Sequence, residues 1–259
     1  MTAESSLLRV EISGAVAHLR LARPAKRNAI NHTLVRALEH AFADLPSSVR
    51  AAVISGEGEH FCAGLDLSEV TEQTVADGIF HSRGWHAAFD RIQFGPVPVI
   101  AVLHGAVVGG GLELAATAHL RVAEASAFYA LPEGQRGIFV GGSGSVRIPR
   151  LVGVSRMTDM MLTGRVLDAA EGHAAGISNY LVGQGEGLGR AMALAERIAC
   201  NAPLSNYAIV QALPRIAEMS PSEGLFVESL MSAIAQGDEA AKQRVRDFLA
   251  KRAAKVGAP

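Results

Sequence analysis

Apolar positions along the chain alternate between short runs rich in β-branched residues and longer segments with helical spacing. Residues 7–22 (LLRVEISGAVAHLRLA) divide at Ser13-Gly14 into two short runs, which predicts a β-hairpin. Leu34, Leu38, Ala41 and Phe42 then keep helical spacing, with Asn31 or Thr33 placed to cap that helix. AAVIS at 51–55 is a short buried strand leading into GEGEHFCAGLDLSEV, a glycine-punctuated loop that turns helical around residues 66–70. Residues 70–94 read as a polar, mixed helix carrying His81, Trp85, His86 and Phe89. A β-branched run at 97–103 predicts a buried strand, residues 112–118 a helix, and HLRVA at 119–123 another strand. Beyond it, 157–162 suit a buried helix, and 162–182 a turn, a short helix and a strand. Leu188, Met192, Ala195 and Ile198 form one helix face. From Ala202 onward the pattern is helical throughout. Strands alternating with helices predict an α/β core over residues 1–200, with 201–259 as a separate helical layer.

The stretch VPVIAVLHGAVVGGGLELAATA at 97–118 is where pattern becomes chemistry. Gly109, Gly110 and Gly111 stand between the strand and the helix and let the backbone turn sharply beside a ligand. The first amides of a helix lack internal partners and lie at its positive end, so a glycine-lined helix start suits an oxyanion. Glu113 falls in the first turn, beside the same place. A tight strand–helix turn with a dipole-matched glutamate explains the residues equally well.

Composition narrows the function classes. The formal net charge is -1 over 259 residues, which offers no electrostatic footprint for nucleic acid. Two cysteines, Cys62 and Cys200, are too few for a disulfide framework and point to a reduced compartment. MTAESSLLRVEISG lacks the pattern of a secretory signal and no apolar run is long enough to span a bilayer, so a cytoplasmic protein without membrane attachment is expected. GEGEHF and GGSGSV begin like dinucleotide fingerprints but lack the third glycine, and no GK[ST] follows either loop. HExxH and CxxC are absent, so no metal is expected. Cys62 reads as a small buried residue, and His81 and His86 as half-buried packing residues rather than bases. In the last helix Lys242, Arg244, Arg246, Lys251, Arg252 and Lys255 form a basic solvated face, with Val245, Phe248 and Leu249 turned inward. Taken alone, Glu133 in ALPEGQRG is an ordinary loop carboxylate.

Four segments, SGEGEHFCAGLDLSEV, AVLHGAVVGGGLELAATAHLRVA, YALPEGQRGIFVGGSGSVRIPRLVG and LTGRVLDAAEGHAAGISNYLV, resemble in order the successive motifs of the crotonase superfamily, the enoyl-CoA hydratase/isomerase family. RPAKRNAIN and FLAKR match its ends, so the resemblance runs from about residue 8 to 252. It implies a spiral of ββα turns with a C-terminal helical region that builds homotrimers or homohexamers. It also implies an oxyanion hole made by the backbone N–H groups of Leu65 and Gly110, where an enolate-like oxygen needs preorganised donors. The two glutamate positions of the family's hydratases are filled by Glu113 and Glu133. Positions matching CoA and substrate contacts are Lys26, Ala63, Leu65, Asp66, Leu67, Gly110 and Gly141, with Lys251 reaching CoA on a neighbouring subunit. No cofactor is implied beyond the coenzyme A of the substrate. This chain departs from the usual PGxGGT-like segment at 140–145 (VGGSGS) and in Gly134-Gln135-Arg136 after Glu133. The Trp85-His86 pair is shared with aromatic dehalogenases of the superfamily, but those need a nucleophilic aspartate where this chain has Gly141.

The reading with most support is an enoyl-CoA hydratase using Glu113 and Glu133. The alternatives are a Δ3–Δ2-enoyl-CoA isomerase, a specialised dehydratase or a decarboxylase on the same scaffold. A non-catalytic CoA-binding protein is the reading from a different class.

Overall fold

The computed structural model describes residues 7–69 and 74–252. The N-terminal hairpin forms as predicted: β1 (Leu8–Ser13) and β2 (Val16–Leu21) pair antiparallel, with Leu8 opposite Leu21. Parallel strands β3 (Ala51–Gly56), β4 (Val99–Leu103), β6 (Leu120–Glu124) and β9 (Tyr180–Val182) complete a six-stranded sheet in the order β1-β2-β3-β4-β6-β9. A second sheet holds β5 (Ala106–Val108), β7 (Phe128–Ala130) and β8 (Leu167–Asp168). β4 and β5, then β6 and β7, are each consecutive strands that go to different sheets before a helix follows, so the chain winds as successive ββα turns.

The helices of this body are α1 (His32–Ala43), α2 (Val75–Gln93), α3 (Gly110–Ala115), α4 (Gly144–Val152), α5 (Val154–Thr163), α6 (Ala169–Ala174) and α7 (Gly187–Ala199). Asn31 caps α1 by accepting from the amide of Leu34, and Thr74 and Asp77 form a capping box at the start of α2. The main core packs α1, α2 and α3 against both sheets, with Phe42, Phe61, Phe89 and Tyr129 fully buried. Ala191, Leu194 and Ala195 of α7 cover the other face of the large sheet. Leu188, at the first turn of α7, is 39% exposed.

The tail forms α8 (Pro203–Ile216), α9 (Pro221–Gly237) and α10 (Glu239–Leu249), in agreement with a strandless C-terminal region. One expectation fails there. Val245, Phe248 and Leu249 are 59%, 59% and 73% exposed in the single chain rather than turned inward. The cations beside them are partly paired, Arg246 with Glu239 and Arg252 with Asp247, while Lys255 lies outside the described residues. Val70, given to the helical turn after Asp66, also lies outside them; a 3-10 turn spans Leu67–Glu69. No helix among the described residues is long and apolar enough to cross a membrane.

Candidate active site

The site forms where α3 begins. Gly109 precedes the helix at φ 52° and ψ −121°, a backbone region that L side chains avoid. A Cβ there would also lie 2.6 Å from Glu133 Oε1. Gly110 is pressed from the other side: its Cβ would be 3.0 Å from the Trp85 ring and 3.4 Å from the amide nitrogen of Leu65. The amides of Leu65 and Gly110 are thus near neighbours, and among the described residues neither finds an acceptor.

The loop bearing Leu65 is held by the RPAKRNAIN segment. Ile30 N–H donates to Gly64 O at 2.7 Å, Asp66 N–H to Ile30 O at 2.8 Å, and Ala63 N–H to Arg27 O at 3.0 Å. Arg23 pairs with Asp66 at 2.9 Å. Behind this ladder, buried Asn28 adopts the left-handed conformation (φ 55°) and spends its amide on the carbonyls of Glu57 and His60, while its Oδ1 accepts from Arg23 N–H. That left-handed position suits asparagine better than most L residues.

Glu113, 3% exposed, points across the start of α4. Its Oε1 accepts from the amides of Gly142 at 2.8 Å and Gly144 at 2.7 Å. These bonds favour the ionised form, but burial outweighs them; with the nearby Glu133 acting in the same direction, its pKa is pushed up to about 7. Glu133 follows β7 and is seated by a turn that packs on α5, where Gln135 donates to Thr163 O. At 5% exposure it is buried too, and burial raises its pKa. Its Oε2 has no hydrogen-bond partner among the described residues.

Both carboxyls line one cavity of about 250 Å³, together with Leu65, Leu67, Gly110 and Gly141. The fold therefore gathers two glutamates 20 residues apart in sequence and two amides, one from the loop that carries Leu65 and one from the start of α3. Ala63 and Asp66 belong to the loop that carries Leu65 and Lys26 to the segment that holds it, none of the three lining the cavity, and exposed Lys251 follows α10 in the left-handed conformation. A larger cavity, about 390 Å³, separates the body from α8. Its lining is mostly apolar, and Arg121, Arg147 and His119 there are bonded to protein groups. Only the smaller of these two cavities holds the buried carboxyls of Glu113 and Glu133.

Cys62 is not a nucleophile here: complete burial pushes its thiol up to about 12. His81 lines the cavity and its ring lies 5.8 Å from that of Trp85. His86 contacts Ser82 at 3.3 Å. Among the described residues no group of histidines, cysteines and carboxylates could hold a metal ion. The sequence reading passed over Gly142 and Gly144 as Glu113 partners, and Ser82, whose hydroxyl donates to Gly141 O at 2.6 Å. A glycine-rich stretch preceding a helix was the available signal for the first two; Ser82 left none.

Comparison with known proteins shows the family. A family model described as enoyl-CoA hydratase/isomerase matches residues 11–257. A crystal structure described as "putative enoyl-CoA hydratase from Rhodopseudomonas palustris CGA009" is 57% identical, covers 97% of this chain and 98% of its own, and superposes with a TM-score of 0.94. The human enoyl-CoA hydratase domain-containing protein 2, mitochondrial, is 36% identical over 82% of this chain and 75% of its own length. Carnitinyl-CoA dehydratase from Proteus mirabilis is 35% identical over 85% of each. On fold and sequence, the chain belongs to the enoyl-CoA hydratase/isomerase (crotonase) family.

Proposed function

We propose that this acyl-CoA enzyme is a hydratase that adds water across the double bond of 2-enoyl-CoA thioesters and, in reverse, dehydrates 3-hydroxyacyl thioesters. The observation that carries this reading is the pair of buried carboxyls, Glu113 and Glu133, on one cavity beside two amides without acceptors. The thioester oxygen takes the amides of Leu65 and Gly110, which stabilise the enolate as charge moves onto it. Glu113, whose ionised form already accepts two backbone N–H groups, removes a proton from water as its oxygen bonds to the β carbon. Glu133, whose Oε2 is buried without a donor, keeps the proton and delivers it to the α carbon. A C–O bond and a C–H bond form, the carbon–carbon π bond and one O–H bond of water break, and the pair's single proton passes from Glu133 to Glu113, from which it returns before the next turnover. The singly protonated pair is the active form, so activity against pH is bell-shaped.

Binding of the CoA thioester substrate is assigned to Lys26, Ala63, Leu65, Asp66, Leu67, Gly110 and Gly141, with Lys251 serving a neighbouring subunit, and no further cofactor takes part. Residues 1–200 form the catalytic body and 201–259 the region that assembles homotrimers, singly or paired into hexamers. Mass spectrometry of 2-enoyl and 3-enoyl thioesters incubated in D₂O tests the reaction. Gain of heavy water by a 2-enoyl thioester, abolished in Glu113→Gln with Glu133→Gln, is expected. Conversion of a 3-enoyl to a 2-enoyl thioester without added water would replace this reading with an isomerase. Full hydration by the double variant would overturn the mechanism.

A further inference from the structure

We propose that Ser82 is a positioning residue for Glu113, acting through the single peptide group that joins Gly141 to Gly142. This inference rests on the reading of Glu113 as the residue that activates water. The carbonyl of that peptide accepts the Ser82 hydroxyl at 2.6 Å, and its N–H donates to Glu113 Oε1 at 2.8 Å. A peptide group is planar and stiff, so fixing its oxygen fixes the direction of its N–H. Hydrogen bonds in series also polarise one another, which strengthens the donation to the carboxylate.

Ser82 itself is held. Its one proton lies on Gly141 O, so His86, one helical turn further along α2 and 3.3 Å away, donates through Nε2–H to the Ser82 oxygen. The relay thus runs from α2 to the loop before α4 and ends on Glu113: His86, Ser82, the Gly141–Gly142 peptide, carboxylate. Gly144 supplies the second bond to the same oxygen from the first turn of α4, independently of Ser82. Ser82 also lines the cavity, but its proton is directed at backbone. That arrangement orients the base and does not itself touch reacting atoms.

The charged and titratable groups around Glu113 are Glu133 after β7, Arg136 in the turn that follows it, Arg147 on α4, and His81 and His86 on α2 near the relay. Removing the Ser82 hydroxyl leaves all five in place. The ionised form of Glu113 then loses support, and its titration moves to higher pH.

The test compares Ser82→Ala and Ser82→Thr with the unaltered enzyme. Loss of one hydrogen bond of ordinary strength predicts about a tenfold fall in kcat for Ser82→Ala, with KM changed less than about twofold. The acid limb of the pH profile should move upward, and Ser82→Thr, which keeps a hydroxyl, should restore both. Side-chain carboxyl NMR of ¹³C-glutamate-labelled protein, with Glu113→Gln to assign the resonance, follows the same titration without turnover. An upward shift of that resonance in Ser82→Ala supports the relay even where the reaction is not hydration. An unmoved titration with unchanged kcat overturns it. So does a loss of kcat in both variants that tracks a fall in Tm, because a merely structural serine would behave that way. Failure of the mechanistic reading is separate: it shows as full activity in Glu113→Gln.

Discussion

At the scale of single residues, the site is governed by what burial does to two carboxyls. Glu113 has a folded pKa of about 7 against an ordinary 4.5. Between those values the folded protein holds a proton that the unfolded chain has released, so stability falls as pH rises from 4.5 to 7 and is level above. Glu113→Gln keeps a carbonyl oxygen for the amides of Gly142 and Gly144 and carries no charge. It should therefore remove that decline and be more stable than the parent at pH 8, by up to about 3 kcal/mol. Denaturant unfolding at pH 4 and pH 8 measures it, and a pH dependence identical to that of the parent would contradict the assignment of the raised group. Gly110 makes the complementary case. A methyl group there meets the Trp85 ring at 3.0 Å and the Leu65 amide nitrogen at 3.4 Å, filling the gap that the proposed mechanism gives to the thioester oxygen. Gly110→Ala should lose roughly 10²–10³ in kcat/KM, the cost of losing one oxyanion donor. Retention of more than a tenth of the parent's kcat/KM would mean that the two amides do not act as the donors.

At the scale of elements, the first turn of α3 carries Gly110 and Glu113, loops carry Leu65 and Glu133, and the surrounding elements hold those loops. Asn28 shows how. Its side chain closes three hydrogen bonds with backbone, bridging the 23–30 segment to residues 57–60, and Ile30 in turn accepts Asp66 and donates to Gly64 around Leu65. Asn28→Ala leaves two partly buried carbonyls and an amide without their partner and puts alanine in the left-handed region without a side-chain hydrogen bond. A loss of about 3 kcal/mol in unfolding free energy is expected, at roughly 1 kcal/mol per bond. The displaced Leu65 amide should lower kcat as well, measured on protein that is still folded at low temperature. A variant destabilised to this extent with undiminished kcat would show that the Leu65 loop is held by the Arg23–Asp66 pair and the backbone ladder alone.

This scale also shows what could be read from the chain in advance. The hairpin at 8–21, α1 with its Asn31 cap, the strand at 99–103 and the glycine turn into α3 were legible because periodicity and local turn chemistry dictate them. Glu113 was legible as a residue beside a helix start, and Glu133 only through the resemblance, because its burial depends on the turn seated against α5. α4 was hidden: its start is glycine and serine, and Pro149 sits inside it. Ser82 was hidden more deeply. Its partner lies 59 residues away, and nothing local distinguishes it from any serine on a polar helix.

At the scale of the whole molecule, the C-terminal helices are the part least satisfied by their own chain. In α9 the only buried residue is Gly224, while Leu225 and Phe226 are 64% and 65% exposed and Leu230 and Ile234 nearly half so. Val245, Phe248 and Leu249 of α10 add to that apolar area. Monomeric proteins rarely leave contiguous apolar patches beyond a few hundred Å² in water, so this region is expected to be covered by other copies of the chain, in keeping with the proposed trimer. The mistaken expectation for Val245, Phe248 and Leu249 has the same origin: helical periodicity marks an apolar face but does not state which molecule covers it. Sedimentation of the full chain should give a trimer or a multiple of it, and Phe226→Glu with Leu230→Glu should shift it to monomer through desolvated carboxylates at the contact. The body's own core and glutamate pair are untouched by that change, so a monomer retaining secondary structure but binding CoA more weakly would place a binding group across the interface, as proposed for Lys251. A parent chain that sediments as a monomer would mean that α9 and α10 tolerate their exposure, and the assembly would have to be abandoned.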